Sequence, residues 1–116
     1  LHVYDHINAI MLIINQGIVG QSYCIGGSNE ISNLNIANLI CEFLDQILPA
    51  PNSYKELISF VDDRLGHDFR YSINSNFLKK SLGWQEKINF HKGLKSTVSW
   101  YVENIEWAKK IFNGYK

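Results

Sequence analysis

The sequence predicts an α/β chain, and three observations carry that prediction. Short apolar stretches bounded by glycine, proline or small polar residues recur along it. Longer stretches with apolar residues at helical spacing lie between them. The two kinds follow one another as strand, helix, strand, helix, strand, helix, helix, an order that suits the final part of an α/β protein with a small helical lobe after the last strand.

Leu1 to Tyr4 read as the end of a strand, and Asp5 is the expected N-cap of a helix over roughly His6 to Asn15. Ile7, Ala9, Ile10, Met11, Leu12, Ile13 and Ile14 make that helix apolar on nearly every face, the pattern of a helix buried between layers. Gly17 and Gly20 end it, and Gln21 to Gly26 form the second strand, broken at Gly26-Gly27-Ser28-Asn29. From Asn35 to Leu48, residues Ile36, Leu39, Ile40, Phe43, Leu44 and Ile47 fall on one helical face, with Asn33 at or near the cap and Pro49 and Pro51 beyond the end. Leu57 to Val61 make the third strand. After a charged run and Arg70 to Asn74 comes a short helix ending at Leu82-Gly83-Trp84. One long helix then starts near Asn89, with Leu94, Val98, Tyr101, Ile105 and Ala108 on one face. Trp84, Trp100 and Trp107 sit at spacings expected of helix packing and read as core.

A length of 116 residues with 46% hydrophobic content fits one domain or part of one, with a core of its own. Eleven basic and eleven acidic residues balance to zero, which speaks against a nucleic-acid footprint or an anionic membrane surface, so phosphate recognition has to be local. The longest apolar run, Ala9 to Ile14, is far short of the roughly 20 residues of a membrane span. Cys24 and Cys41 match no metal-ligand spacing and read as buried thiols of a reducing compartment. The opening Leu1-His2-Val3-Tyr4-Asp5 has no Met, basic n-region or cleavage signal and reads as the interior of a longer protein.

The chemistry concentrates in Asp63-Arg64-Leu65-Gly66-His67-Asp68. Arg64 offers a planar fork of donors that suits phosphate oxygens, and Gly66 lets the backbone turn tightly or approach a ligand. Asp63 and Asp68 can orient the arginine or accept sugar hydroxyls. The same composition also suits a solvated turn whose charges neutralise one another. Asn33 can contact a ligand or cap its helix, and His67 can bond phosphate or brace the loop. There is no Gly-x-Gly-x-x-Gly after a strand, no Walker loop, no Gly-x-Ser-x-Gly elbow and no Tyr-x-x-x-Lys pair.

Five stretches in order resemble one family. Leu1-His2-Val3-Tyr4-Asp5-His6 resembles L-Y-V-E-D-H, and Tyr23-Cys24-Ile25-Gly26-Gly27 with Asn29-Glu30 and Asn33 resembles Y-N-I-G-G-x-N-E-x-x-N. Asp63 to Tyr71 resembles D-R-P-G-H-D-x-R-Y; Leu82-Gly83-Trp84 resembles L-G-W; Gly93 with Thr97-Val98-Ser99-Trp100-Tyr101 resembles G-x-x-x-T-V-x-W-Y. Together they look like the carboxyl-terminal portion of the dTDP-glucose 4,6-dehydratases, extended short-chain dehydrogenase/reductases of the NAD-dependent epimerase/dehydratase kind.

The resemblance implies that residues 1–116 are a partial domain. It would be the substrate-binding lobe of an extended Rossmann-type α/β enzyme, without the N-terminal dinucleotide-binding part. It implies a parent enzyme, cytoplasmic and homodimeric, that removes water from dTDP-glucose with NAD by transient oxidation at position 4, elimination and hydride return. The dinucleotide fingerprint, the Tyr-Lys pair and the active-site acids lie upstream of the matched region in that family. This chain alone is therefore expected to be inactive and to bind no NAD, with the missing N-terminal portion and a dTDP-sugar as its partners. Asn33, Asp63, Arg64, Leu65, Gly66 and His67 are the implied substrate contacts, and Tyr115 stands where the family has an aromatic residue near the end of the lobe. Three positions depart from the pattern: Leu65 replaces proline, Cys24 replaces asparagine, and Asn8 stands where the first helix has arginine. A related nucleotide-sugar epimerase or decarboxylase, or a stand-alone nucleotide-sugar binding module, are the alternatives.

Overall fold

The computed structural model describes residues 1–113, and those residues are helical with no strand among them. They form α1 (Val3–Gln16), α2 (Asn33–Ile47), a single 3-10 turn (Tyr54–Leu57), α3 (Asn76–Leu82), α4 (Phe90–Glu103) and α5 (Ile105–Asn113). The chain divides into two compact units, Leu1–Glu30 with Asp62–Phe90, and Ile31–Val61 with the residues from His91 onward.

In the first unit, α1 starts where a strand end was expected. His2 caps it, its Nδ1 accepting from the Tyr4 N–H at 3.3 Å, so Asp5 is not the cap but lies in the first turn. There its charge complements the helix N-terminus. Its carboxylate is also spent elsewhere: Oδ1 accepts from the Lys87 N–H at 3.1 Å and Oδ2 from the Ile88 N–H at 2.9 Å. Asp5 is only 2% exposed, and two backbone donors are what a buried carboxylate needs. Beside it the Trp84 indole N–H donates to the Asp5 carbonyl at 3.3 Å. Ala9, Leu78 and Trp84 form the core, with Leu12, Ile13, Tyr23, Ile25 and Leu82 packed around them.

The α1 helix uses only one of its apolar faces. Asp5 and Ala9 are buried, while Tyr4, Ile7, Met11 and Ile14, at spacings of three and four, form an exposed stripe. The expected burial between two layers is therefore half met within this unit.

The expected strands at 1–4, 21–26 and 57–61 do not form, because a strand exists only through backbone bonds to a neighbour. Gly26 and the Ile73–Ser75 segment do come close. The Ser75 hydroxyl donates to the Gly26 carbonyl at 3.1 Å, and a Cβ on Gly26 would stand 2.7 Å from the Cβ of Ile73. The two segments thus meet through side chains, with no ladder. Cys24, expected to be buried in a strand, is exposed, whereas Cys41 in α2 is buried.

In the second unit Ser32, one residue earlier than expected, caps α2 by accepting from the Asn35 N–H at 3.3 Å, and the Leu48 N–H closes it on the Leu44 carbonyl. Asp45 then fastens the following turn, accepting from the Ser53 hydroxyl at 2.7 Å and the Tyr54 N–H at 2.9 Å; these two bonds, the Ser53 hydroxyl first, hold its carboxyl below the usual range. Phe43 is buried and meets the His91 ring edge-on at 4.8 Å. The long helix expected from Asn89 is two helices, parted at Asn104, whose N–H and side-chain amide both donate to the Trp100 carbonyl. Trp84 is core, but Trp100 and Trp107 are 45% and 50% exposed and stack edge-on against each other at 5.2 Å.

Candidate functional site

The charged run lies in the first unit, between Asp62 and Tyr71, and every residue of it is solvent-exposed. It is nonetheless shaped. The Arg64 carbonyl accepts from the His67 N–H at 3.3 Å, closing a tight turn over Leu65 and Gly66. Gly66 takes φ +73°, the left-handed conformation that such a turn asks of its third residue and that costs a residue with a Cβ. Asp63 braces the turn from one side: its Oδ1 accepts from the Arg64 N–H at 2.8 Å and pairs with His67 Nδ1 at 2.7 Å. The His67 bond is the main reason that the Asp63 carboxyl sits below the usual carboxylate range.

Of the open alternatives for His67, the structure shows the brace. Leu65 projects fully into solvent at the tip. The Arg64 guanidinium has no partner among the described residues, although four acids (Asp62, Asp63, Asp68 and, through Arg70, Glu30) belong to the same part of the chain. An unpaired guanidinium beside a glycine turn is available to a bidentate anion.

The chain's other arginine is occupied. Arg70 donates to Glu30 Oε1 at 2.6 Å, and the Ser72 hydroxyl donates to the same oxygen at 3.0 Å. These two bonds, Arg70 first, lower the Glu30 carboxyl below its usual range, and Glu30 in turn raises Arg70. Sequence reasoning missed this tie. The Asn29-Glu30 and Arg70-Tyr71 pairs were both visible as motif positions, but nothing in a sequence shows two exposed charges 40 residues apart meeting.

The turn therefore brings together five of the six expected contacts, Asp63, Arg64, Leu65, Gly66 and His67. Asn33 belongs to the second unit, as the first residue of α2. Because Ser32 performs the capping, the Asn33 amide is not spent there. Tyr115 lies outside the described residues. Among the described residues no three of His, Cys, Asp and Glu gather as a metal site, and no helix is long and apolar enough to cross a membrane.

Comparison with known proteins decides the family: the profile of GDP-mannose 4,6 dehydratase matches residues 1–97. The chain belongs to that family. Its relatives include a dTDP-glucose 4,6-dehydratase of Salmonella typhimurium, 40% identical over 114 residues, which are 98% of this chain and 32% of that protein. A probable dTDP-glucose 4,6-dehydratase of Sinorhizobium fredii is 42% identical over 98% of this chain and 34% of its own length. A dTDP-glucose 4,6-dehydratase of Haemophilus influenzae is 44% identical over 90% of this chain and 32% of its own. The chain thus matches a portion of such dehydratases and spans about a third of the length of the curated relatives. The family profile takes in both the Gly26–Glu30 segment and the turn at Asp63–His67, and the resemblance to the dTDP-glucose 4,6-dehydratases is borne out by these relatives.

Proposed function

We propose that the Asp63–His67 turn holds the diphosphate of a nucleotide sugar, with Arg64 as the anchor, as part of a dTDP-glucose 4,6-dehydratase. One observation carries the reading: of the two arginines in the sequence, Arg70 is tied to Glu30 while Arg64 is unpaired on a braced glycine turn. A charge-assisted bidentate contact from that position to two phosphate oxygens fixes both distance and direction. Leu65 at the tip and the braced His67 shape the approach. The base and sugar follow the names of the relatives, so the substrate class is a dTDP-sugar.

In the whole protein, residues 21–26 and 57–61 serve as sheet-edge strands and residues 1–116 as a substrate lobe attached to a Rossmann-type part. That enzyme is a cytoplasmic homodimer. The family implies NAD, which supplies reversible hydride acceptance. The residues of this chain do not fit a dinucleotide. No glycine directly precedes any described helix, and the first amides of α1 and α2 are met by His2 and Ser32. No step through NAD is assigned to these residues.

The test is a titration of dTDP against thymidine, which lacks the diphosphate. The reading expects dTDP to bind at least about 10-fold more tightly, a single strong charge-assisted contact being enough for that ratio. Equal affinities, or no binding of dTDP, contradict it.

A further inference from the structure

The bonds inside the turn shape it without attaching it to anything. Arg64 N–H to Asp63, His67 N–H to Arg64 and His67 to Asp63 all lie within five residues of one another. Among the described residues, the long-range bonds made by residues 62–72 are those of Arg70 and Ser72, and both end on one oxygen of Glu30. Glu30 itself follows the Gly26–Ser28 segment, which is fixed to the rest of the unit. The Gly26 carbonyl accepts from Ser75, the Ser28 N–H donates to Glu86 at 3.0 Å, and the Lys79 ammonium reaches the Ser28 hydroxyl at 3.2 Å. A path of polar contacts therefore runs from the ordered part of the unit through Glu30 to the carboxyl-side stem of the turn.

We propose that Glu30 is the positioning residue of the diphosphate turn: by holding Arg70 and Ser72 it fixes the stem of the turn on the Gly26–Glu30 segment and so sets the direction from which Arg64 meets its ligand. The inference rests on the reading of Arg64 given above. It assigns different work to the two arginines, Arg64 to the ligand and Arg70 to the scaffold. The pair is exposed, so its loss changes global stability little, and its effect is confined to the order of the loop. The opposite assignment, with Arg70 as a second phosphate ligand and Glu30 as its competitor, makes the opposite prediction for a Glu30 variant.

Two measurements on the full chain test this. An arginine-specific protease has two target bonds in this sequence, after Arg64 and after Arg70. In Glu30→Ala, cutting after Arg70 should be about 3- to 5-fold faster than in the wild type, the factor expected for losing an exposed pair near the upper end of its range. An unchanged rate overturns the tie without reference to any ligand. In dTDP titrations, Glu30→Ala and Arg70→Ala should each weaken binding by about the same 3- to 5-fold. The double variant should lose no more than either single one, and the charge-swapped Glu30→Arg/Arg70→Glu pair should recover most of the loss. Glu30→Ala binding as well as or better than wild type overturns the proposal and gives Arg70 to the ligand. If the protease result holds but the wild type binds no dTDP, the reading of Arg64 falls and Glu30 is left as an anchor of the loop without a positioning role.

Discussion

Within the first unit two regions are held by different physics. Around Asp5, Leu78 and Trp84 the chain is buried, and each buried polar group has its partner: both Asp5 oxygens on backbone N–H groups, the Trp84 indole on the Asp5 carbonyl. From Asp62 to Tyr71 nothing is buried, and shape comes from one glycine φ, the Asp63–His67 pair and the Glu30 tie. The contrast separates what keeps this unit folded from the turn proposed to bind a ligand. A region held by burial resists salt and fails through cavities; a region held by exposed charges does the reverse.

The largest effect belongs to the buried region. Trp84→Ala removes the biggest side chain of the core and one hydrogen bond, and should cost about 3–5 kcal/mol by chemical denaturation. A loss under 1 kcal/mol would mean that the cluster is not what holds the unit. Asp5→Ala should cost about 2–4 kcal/mol, because it strands the Lys87 and Ile88 amides, whereas Asp5→Asn keeps an acceptor and should cost less. Equal costs for the two would show that the one bond an amide oxygen can keep contributes nothing.

The turn should respond on a smaller scale. Gly66→Ala meets no atom, so its whole effect is the left-handed φ, about 1–2 kcal/mol in the turn, which should appear as a roughly 5- to 30-fold loss of dTDP affinity at nearly unchanged melting temperature. Acid should act on the same region. The folded-state pKa values of Asp63 and Glu30 are depressed by the bonds from His67 and Arg70, so their contribution is present above the ordinary carboxylate range and is lost as pH falls through the lowered values. Protease sensitivity of residues 62–72 should therefore rise below that range and not above it.

How much of this was legible in the sequence follows the same division. The apolar periodicity of Ile36 to Ile47 placed α2 to within two residues at its start, and Leu82-Gly83 marked the end of α3, because both signals are local. The Asp5 misreading has a tertiary cause. An acid before an apolar run looks like a cap, and only the fold shows that its oxygens serve Lys87 and Ile88, more than 80 residues away. The strands failed for a related reason: a strand depends on a neighbour that no stretch of sequence contains. At the site, Gly66 and Arg64 were legible as types with a defined use, and the structure added the His67 brace. That Arg70 is paired while Arg64 is open was hidden, since it turns on where Glu30 lies.

The proposed site stands or falls on Arg64. Calorimetric titration of dTDP into the wild type and Arg64→Ala, with melts run alongside, should show binding weakened by about 10-fold or more in the variant, melting unaltered, and only partial recovery in Arg64→Lys, where the charge remains and the fork is gone. Wild-type affinity in Arg64→Ala would remove the turn from the site and contradict the assignment.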